Sequence, residues 1–221
     1  MALTLNKVVN KSGGSYEPFP AGRYDGVLHA IISLEMQQHS FQGQDMGARP
    51  KVLLLFELPE VSRPAADGKQ MPAMLSYEMT LSSSEKGTFM KVVNAIKHTR
   101  MTEDSLADLI NEADGKSLKG MLGKSCVVEV KQFKNKHGDM KNAVAGIHEL
   151  DPRLPQPKGV RDTFIFTVAD PDLTVFKNVL IPWTRDKIMS AINADEFPAE
   201  VHEAYRDIKE QEAQNSGNRV V

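Results

Sequence analysis

The sequence predicts a mainly β fold with helices: a five-stranded barrel with a helical insertion between its third and fourth strands, then a C-terminal α/β extension. Three features of the 221 residues lead there. Apolar side chains alternate with period two from Arg23 to Leu34, and a continuous apolar run, KVLLLFEL, follows at 51–58. A helical stretch then separates the first three strand-like segments from a last pair flanking a turn at Gly138.

The elements follow in order. Residues 1–15 end in KSGGS and are expected to form a flexible arm, after which YEPFPAGRYDG supplies turn residues before the first strand. Tyr24, Leu28, Ala30, Ile32 and Leu34 give that strand one inward face. Residues 35–50 are polar, include Gly43 and Gly47, and are expected to be an exposed loop carrying Phe41 and Arg49. The second strand, 51–58, is expected to stop at Pro59, and MLSYEMTL at 74–81 forms the third. Ser84 is expected to cap a helix whose face is Phe89, Val92, Val93 and Ile96. A second helix at 103–113 places Leu106, Leu109 and Ile110 together. Strands at 125–133 and 140–149 form the closing hairpin. Three prolines in DPRLPQPKGVRD mark a linker, followed by two short strands, TFIFTVA and VFKNVLI, and helices in PWTRDKIMSAI and 196–214. The expected division is an arm at 1–15, a barrel domain at 16–150 and an extension at 151–221. Three strands, a helical connection and a hairpin is the order of a five-stranded oligonucleotide-binding (OB) barrel, an order that other mixed folds also produce.

Composition sets the limits on function. Twenty-seven Lys and Arg stand against 29 Asp and Glu, a formal charge of -2, so any electrostatic argument is local. Cys126 is the only cysteine, which excludes an intramolecular disulfide and a cysteine-cluster zinc site and suits a reducing cytoplasm. Its setting, SCVVEV, predicts a buried apolar side chain. No apolar run reaches the roughly 18 residues of a membrane helix, and the N-terminus lacks a secretory signal's hydrophobic centre. A soluble intracellular protein with no membrane partner is expected.

Between Lys116 and Lys141 lie seven lysines, against only Glu129 and Asp139. Lys131, Lys134, Lys136 and Lys141 gather on the closing hairpin, where cations are placed to track phosphates; Arg23, Arg49 and Lys51 extend the set. Phe133 alternates with Lys131 and faces outward if Cys126, Val128 and Val130 face inward, offering a ring on which an unpaired base stacks. Tyr24, Tyr77 and Phe41 are further candidates, although Tyr24 and Tyr77 also suit the core, where Phe56 is assigned outright. A one-residue slip would reverse the facing of Lys131 and Phe133.

The segments FPAGRYDGVLHAIISL, RPKVLLLFELPE, LSYEMTLSSSEKGTFMKVVNAI and LKGMLGKSCVVEVKQFKNKHGDMKNAVAGIHEL together resemble bacteriophage single-stranded DNA-binding proteins over residues of about 16 to 150. The turn and strand opening, the F-E-L-P strand end, the serine-rich start of the inner helix and the L-G-K-S-C start of the fourth strand carry the likeness. The resemblance implies a viral OB-fold protein in the host cytoplasm that coats single strands during DNA replication or recombination. It implies no sequence preference and no turnover, and no metal or cofactor is expected. Replication or recombination proteins would be further partners. Many such proteins end in an acidic tail with a terminal aromatic, whereas this sequence ends NSGNRVV. Its acid-rich stretch at 195–214 has helical composition instead, open to three roles: packing on the barrel, joining a second copy as a homo-oligomer, or covering the empty DNA groove.

Two other classes have residues attached. Asp114, Glu129 and Lys131 match the loose D...(D/E)-x-K pattern of magnesium-dependent nucleases, without the strand that should carry the aspartate. The six histidines show no H-E-x-x-H spacing, and no P-loop or G-x-S-x-G motif occurs. A non-enzymatic interaction module would use Trp183, although Leu180, Ile181 and Ile188 around it suggest a ring that packs a terminal helix.

Overall fold

The computed structural model describes residues 17–65, 68–111 and 116–217. It is mainly β, a six-stranded sheet with helices. The strands are β1 (Gly22–Phe41), β2 (Gln44–Pro64), β3 (Gln70–Thr80), β4 (Ser125–Lys134), β5 (Met140–His148) and β6 (Phe164–Phe166). They follow the path β3-β2-β1-β4-β5, with β6 pairing to β1. β3 and β5, at the two ends of the path, lie in contact.

The chain divides into two compact units. Of the described residues, the first takes in those up to Ile31 together with those of Val52–Ile165, and the second Ile32–Lys51 together with those from Phe166 onward. In the first, Leu28, Leu54, Phe56, Leu58, Cys126, Val128 and Val130 build a core that α1 (Thr88–Lys97) completes. The expected face of α1 is buried in full: Phe89, Val92, Val93 and Ile96. α1 packs on β3, β4 and β5. Behind it come α2 (Glu103–Asn111), which buries Leu106 and Leu109, and the short α3 (Lys116–Lys119).

The second unit holds α4 (Leu173–Asn178), α5 (Pro182–Met189) and α6 (Ala199–Gly217). Phe166 stacks on Phe176, and the buried Gln37 amide donates to the Leu34 and Lys187 carbonyls.

Four local expectations are corrected. Residues 35–50 are not a loop: β1 runs to Phe41, β2 starts at Gln44, and only Gln42 and Gly43 turn, both with positive φ. Two left-handed residues match the twist of a hairpin, so a polar ribbon needs no apolar alternation to pair. Pro59 does not end β2, which continues to Pro64, because a proline is tolerated where the ladder takes no N–H from it. Ser84 does not cap α1. Gly87 occupies that position, its N–H donating to the Ser84 carbonyl and its missing side chain leaving room for that oxygen. VFKNVLI is not a strand but belongs largely to α4, which starts because the Asp172 carboxylate accepts from the Thr174 and Val175 N–H groups. Asp172→Ala is accordingly expected to cost about 1 kcal/mol of stability, measurable by denaturant unfolding.

Candidate nucleic-acid interface

β4 lies between β1 and β5, antiparallel to both. Its even positions Cys126, Val128 and Val130 are buried, so its odd positions face outward. Arg23 stands opposite Glu129, Ala143 opposite Lys131 and Lys141 opposite Phe133. One outward face therefore carries Arg23, Lys131, Phe133 and Lys141. Phe133 is 42% exposed, which resolves the strand parity in the sense expected.

The hairpin that presents this face is held from elsewhere. The Gln132 and Asn142 amides, opposite one another on the other side of the pleat, both donate to the Phe19 carbonyl, and the Phe19 N–H donates back to Asn142 Oδ1. At the tip Gly138 takes φ +86, and Asn135 Oδ1 accepts from the His137 and Asp139 N–H groups. Lys134 and Lys136 stand exposed there. None of these bonds uses Phe133 or Lys131.

A β-bulge adds a residue that sequence reading missed. Val130 pairs with Val144 and Glu129 with Gly146, leaving Ala145 over, and the slip turns His148 outward opposite Val127. His148 Nε2 then sits 2.6 Å from Glu129 Oε2. The contact passes over Gly146, where an added Cβ would lie 3.3 Å from the imidazole nitrogen. Glu129 is thus in hydrogen-bond contact with a neighbouring histidine on the face that carries Arg23, Lys131 and Lys141. Asp114, the third residue of the nuclease pattern, lies outside the described residues, among which no cluster of three or more metal-ligating side chains occurs.

The remaining candidates fall elsewhere. Tyr24 faces the opposite side of the pleat from Arg23, half-buried, with its ring edge-on to Phe19 at 5.2 Å and its hydroxyl donating to the Pro20 carbonyl. Tyr77 packs against the core, and burial raises its phenol pKa. Arg49 is exposed and Lys51 half-buried, both in the second unit. Phe41 ends β1 in the same unit, with its side chain outside the described residues.

Cys126 is fully buried, and burial pushes its thiol up to about 12. The native protein is expected to resist thiol reagents at pH 8 and to react once denatured, a result that a chromogenic disulfide reads directly. Trp183 departs from the packing expected of it: the ring is 50% exposed, while its neighbours Leu180 and Ile188 are buried.

A strap covers the same outward sheet face further along, where Ser125 and Val27 continue the rows of Glu129 and Arg23. The Ser125 hydroxyl on β4 donates to the Pro157 carbonyl, and Gly159 lies over Val27 of β1. The Val160 N–H donates to Glu57 Oε1 of β2 at 2.7 Å, while Arg161 sits 3.3 Å from Glu57 Oε2 and donates to the Pro72 carbonyl of β3. Phe164 meets the His29 ring edge-on at 5.4 Å. Glu57 is completely buried in consequence, and buried His29 Nδ1 has no hydrogen-bond partner. Burial lowers the His29 pKa from 6.5; Glu57 and Asp162 oppose the shift and Arg161 adds to it. Among the described residues no helix is long and apolar enough to cross a membrane. No protein-family model matches the chain, and neither a curated protein nor a solved structure does.

Proposed function

We propose that this chain binds single-stranded DNA without sequence preference and without catalysis, coating strands exposed in phage replication or recombination in the host cytoplasm. The observation that carries the reading is the outward face of β4 and its neighbours, where Phe133 stands exposed among Arg23, Lys131 and Lys141. The ring lies outside the buried core. Beside cations it offers stacking to any base and charge to any phosphate, and paired bases have no free face to give it. The strap crosses this same outward face over β1, β2, β3 and the start of β4, so the part of the face that stays open is the β4–β5 hairpin.

The finer fold reading belongs to the same proposal. Contact between β3 and β5, with α1 inserted before β4 and packed on β3, β4 and β5, supports a sheet that closes into an OB barrel.

Phe133→Ala is expected to weaken single-strand binding by about 1–3 kcal/mol, roughly 5- to 150-fold, while leaving the unfolding free energy within about 0.5 kcal/mol of wild type. Fluorescence anisotropy with a labelled oligonucleotide and a denaturant titration measure the two. Unchanged affinity would remove the stacking role.

A further inference from the structure

Beyond the β4–β5 face, an open cleft of about 870 Å³ lies between the C-terminal half of α1 and the end of β5. His148 belongs to both: it is on the outward row of β5 and in the wall of the cleft. The cleft has apolar ground in Met101 and Ile147, and its cations are Lys91 and Arg100. Both are exposed, and neither forms an ion pair with a described residue. The acids nearby are differently placed. Glu149 Oε1 is 3.0 Å from His98 Nδ1, and Glu129 is held by His148. Two carboxylates are thus drawn onto imidazoles while two longer cations stay available. Glu85, also on the wall, remains exposed. The C-terminal end of α1 would repel an anion by its partial charge, but the Asn94 carbonyl is taken by the His98 and Thr99 N–H groups and Lys97 occupies the last turn.

We propose that this cleft is a second nucleotide subsite, in which a single strand leaving the β4–β5 face at His148 lays its phosphates against Lys91 and Arg100 and a base against Met101. The inference rests on the single-strand reading above and adds a direction to it: the strand runs from Phe133 past Gly146 toward the end of α1. At Gly146 the path crosses the Glu129–His148 pair, which lies over the glycine and holds that carboxylate against the imidazole.

Oligonucleotides from about 4 to about 16 nucleotides, the span of site sizes known for one OB fold, test it. Wild type should gain affinity as length grows beyond the β4–β5 face. The double variant Lys91→Ala/Arg100→Ala should bind the shortest oligonucleotide as wild type does, lose the gain with length, and show a log-log salt slope shallower by about 1.4 on the longest. In the wild-type protein, Lys91 should be shielded from acetylation by the long oligonucleotide and not by the short one. A double variant that keeps the full gain and slope, or Lys91 acetylated equally under both, overturns the subsite alone. Wild type that binds no single strand of any length overturns the single-strand reading and the subsite together.

Discussion

Arg161→Ala is expected to destabilise the protein by about 3–5 kcal/mol, the usual cost of removing one partner from a buried ion pair. Glu57 sits on β2 with its side chain 1% exposed, and among the described residues its charge is met by Arg161 and the Val160 N–H. Without the guanidinium the carboxylate keeps one donor in a place water does not reach. The arginine also ties the strap to β3 through the Pro72 carbonyl, so that anchor goes with it. Replacing both charges, as Glu57→Gln/Arg161→Met, should cost less than Arg161→Ala, because no uncompensated charge stays buried. Denaturant unfolding of the three proteins orders them.

The same cluster sets an acid sensitivity. His29 has a folded pKa below the unfolded 6.5, so the unfolded chain holds the extra proton between the two values. Its contribution is intact above about 6.5 and is lost as pH falls through the folded value. Arg161 is one cause of the lowering, so Arg161→Ala should flatten this part of the pH profile while reducing stability throughout.

Gly26→Ala is expected to cost about 3 kcal/mol, the upper end for overpacking a core. An added Cβ on this inward position of β1 would lie 2.4 Å from Val128 Cγ2, with Leu58 Cδ2 at 3.5 Å closing the other side. Val128 is fully buried, and a β-branched side chain has few rotamers in which to retreat. Trimming the obstacle should restore much of the loss, so Gly26→Ala/Val128→Ala should be more stable than the sum of its single variants predicts. Thermal or urea unfolding of the cycle gives the coupling directly.

Periodicity made much of this legible in the sequence. The helical spacing of Phe89, Val92, Val93 and Ile96 marked the buried face of α1, and the alternation of Cys126, Val128 and Val130 placed Phe133 outside. What stayed hidden depends on geometry that composition does not encode. The polar ribbon across Gln42 and Gly43 lacks an Asn-Gly signal, and the short apolar stretch of α4 reads equally as a strand until Asp172 is seen as its cap. At the site, the Ala145 bulge reversed the facing of His148 and so concealed the Glu129 contact. The Glu57–Arg161 pair joins residues 104 apart in sequence, a pairing no local pattern announces.

The central claim is tested most directly by the affinity of the protein for labelled single-stranded and duplex DNA across a salt series. Clear preference for the single strand is expected, with log K falling against log salt at a slope of about -2 or steeper, the value for Arg23, Lys131 and Lys141 each neutralising one phosphate. Equal or tighter binding of the duplex, or no binding of the single strand, would contradict it.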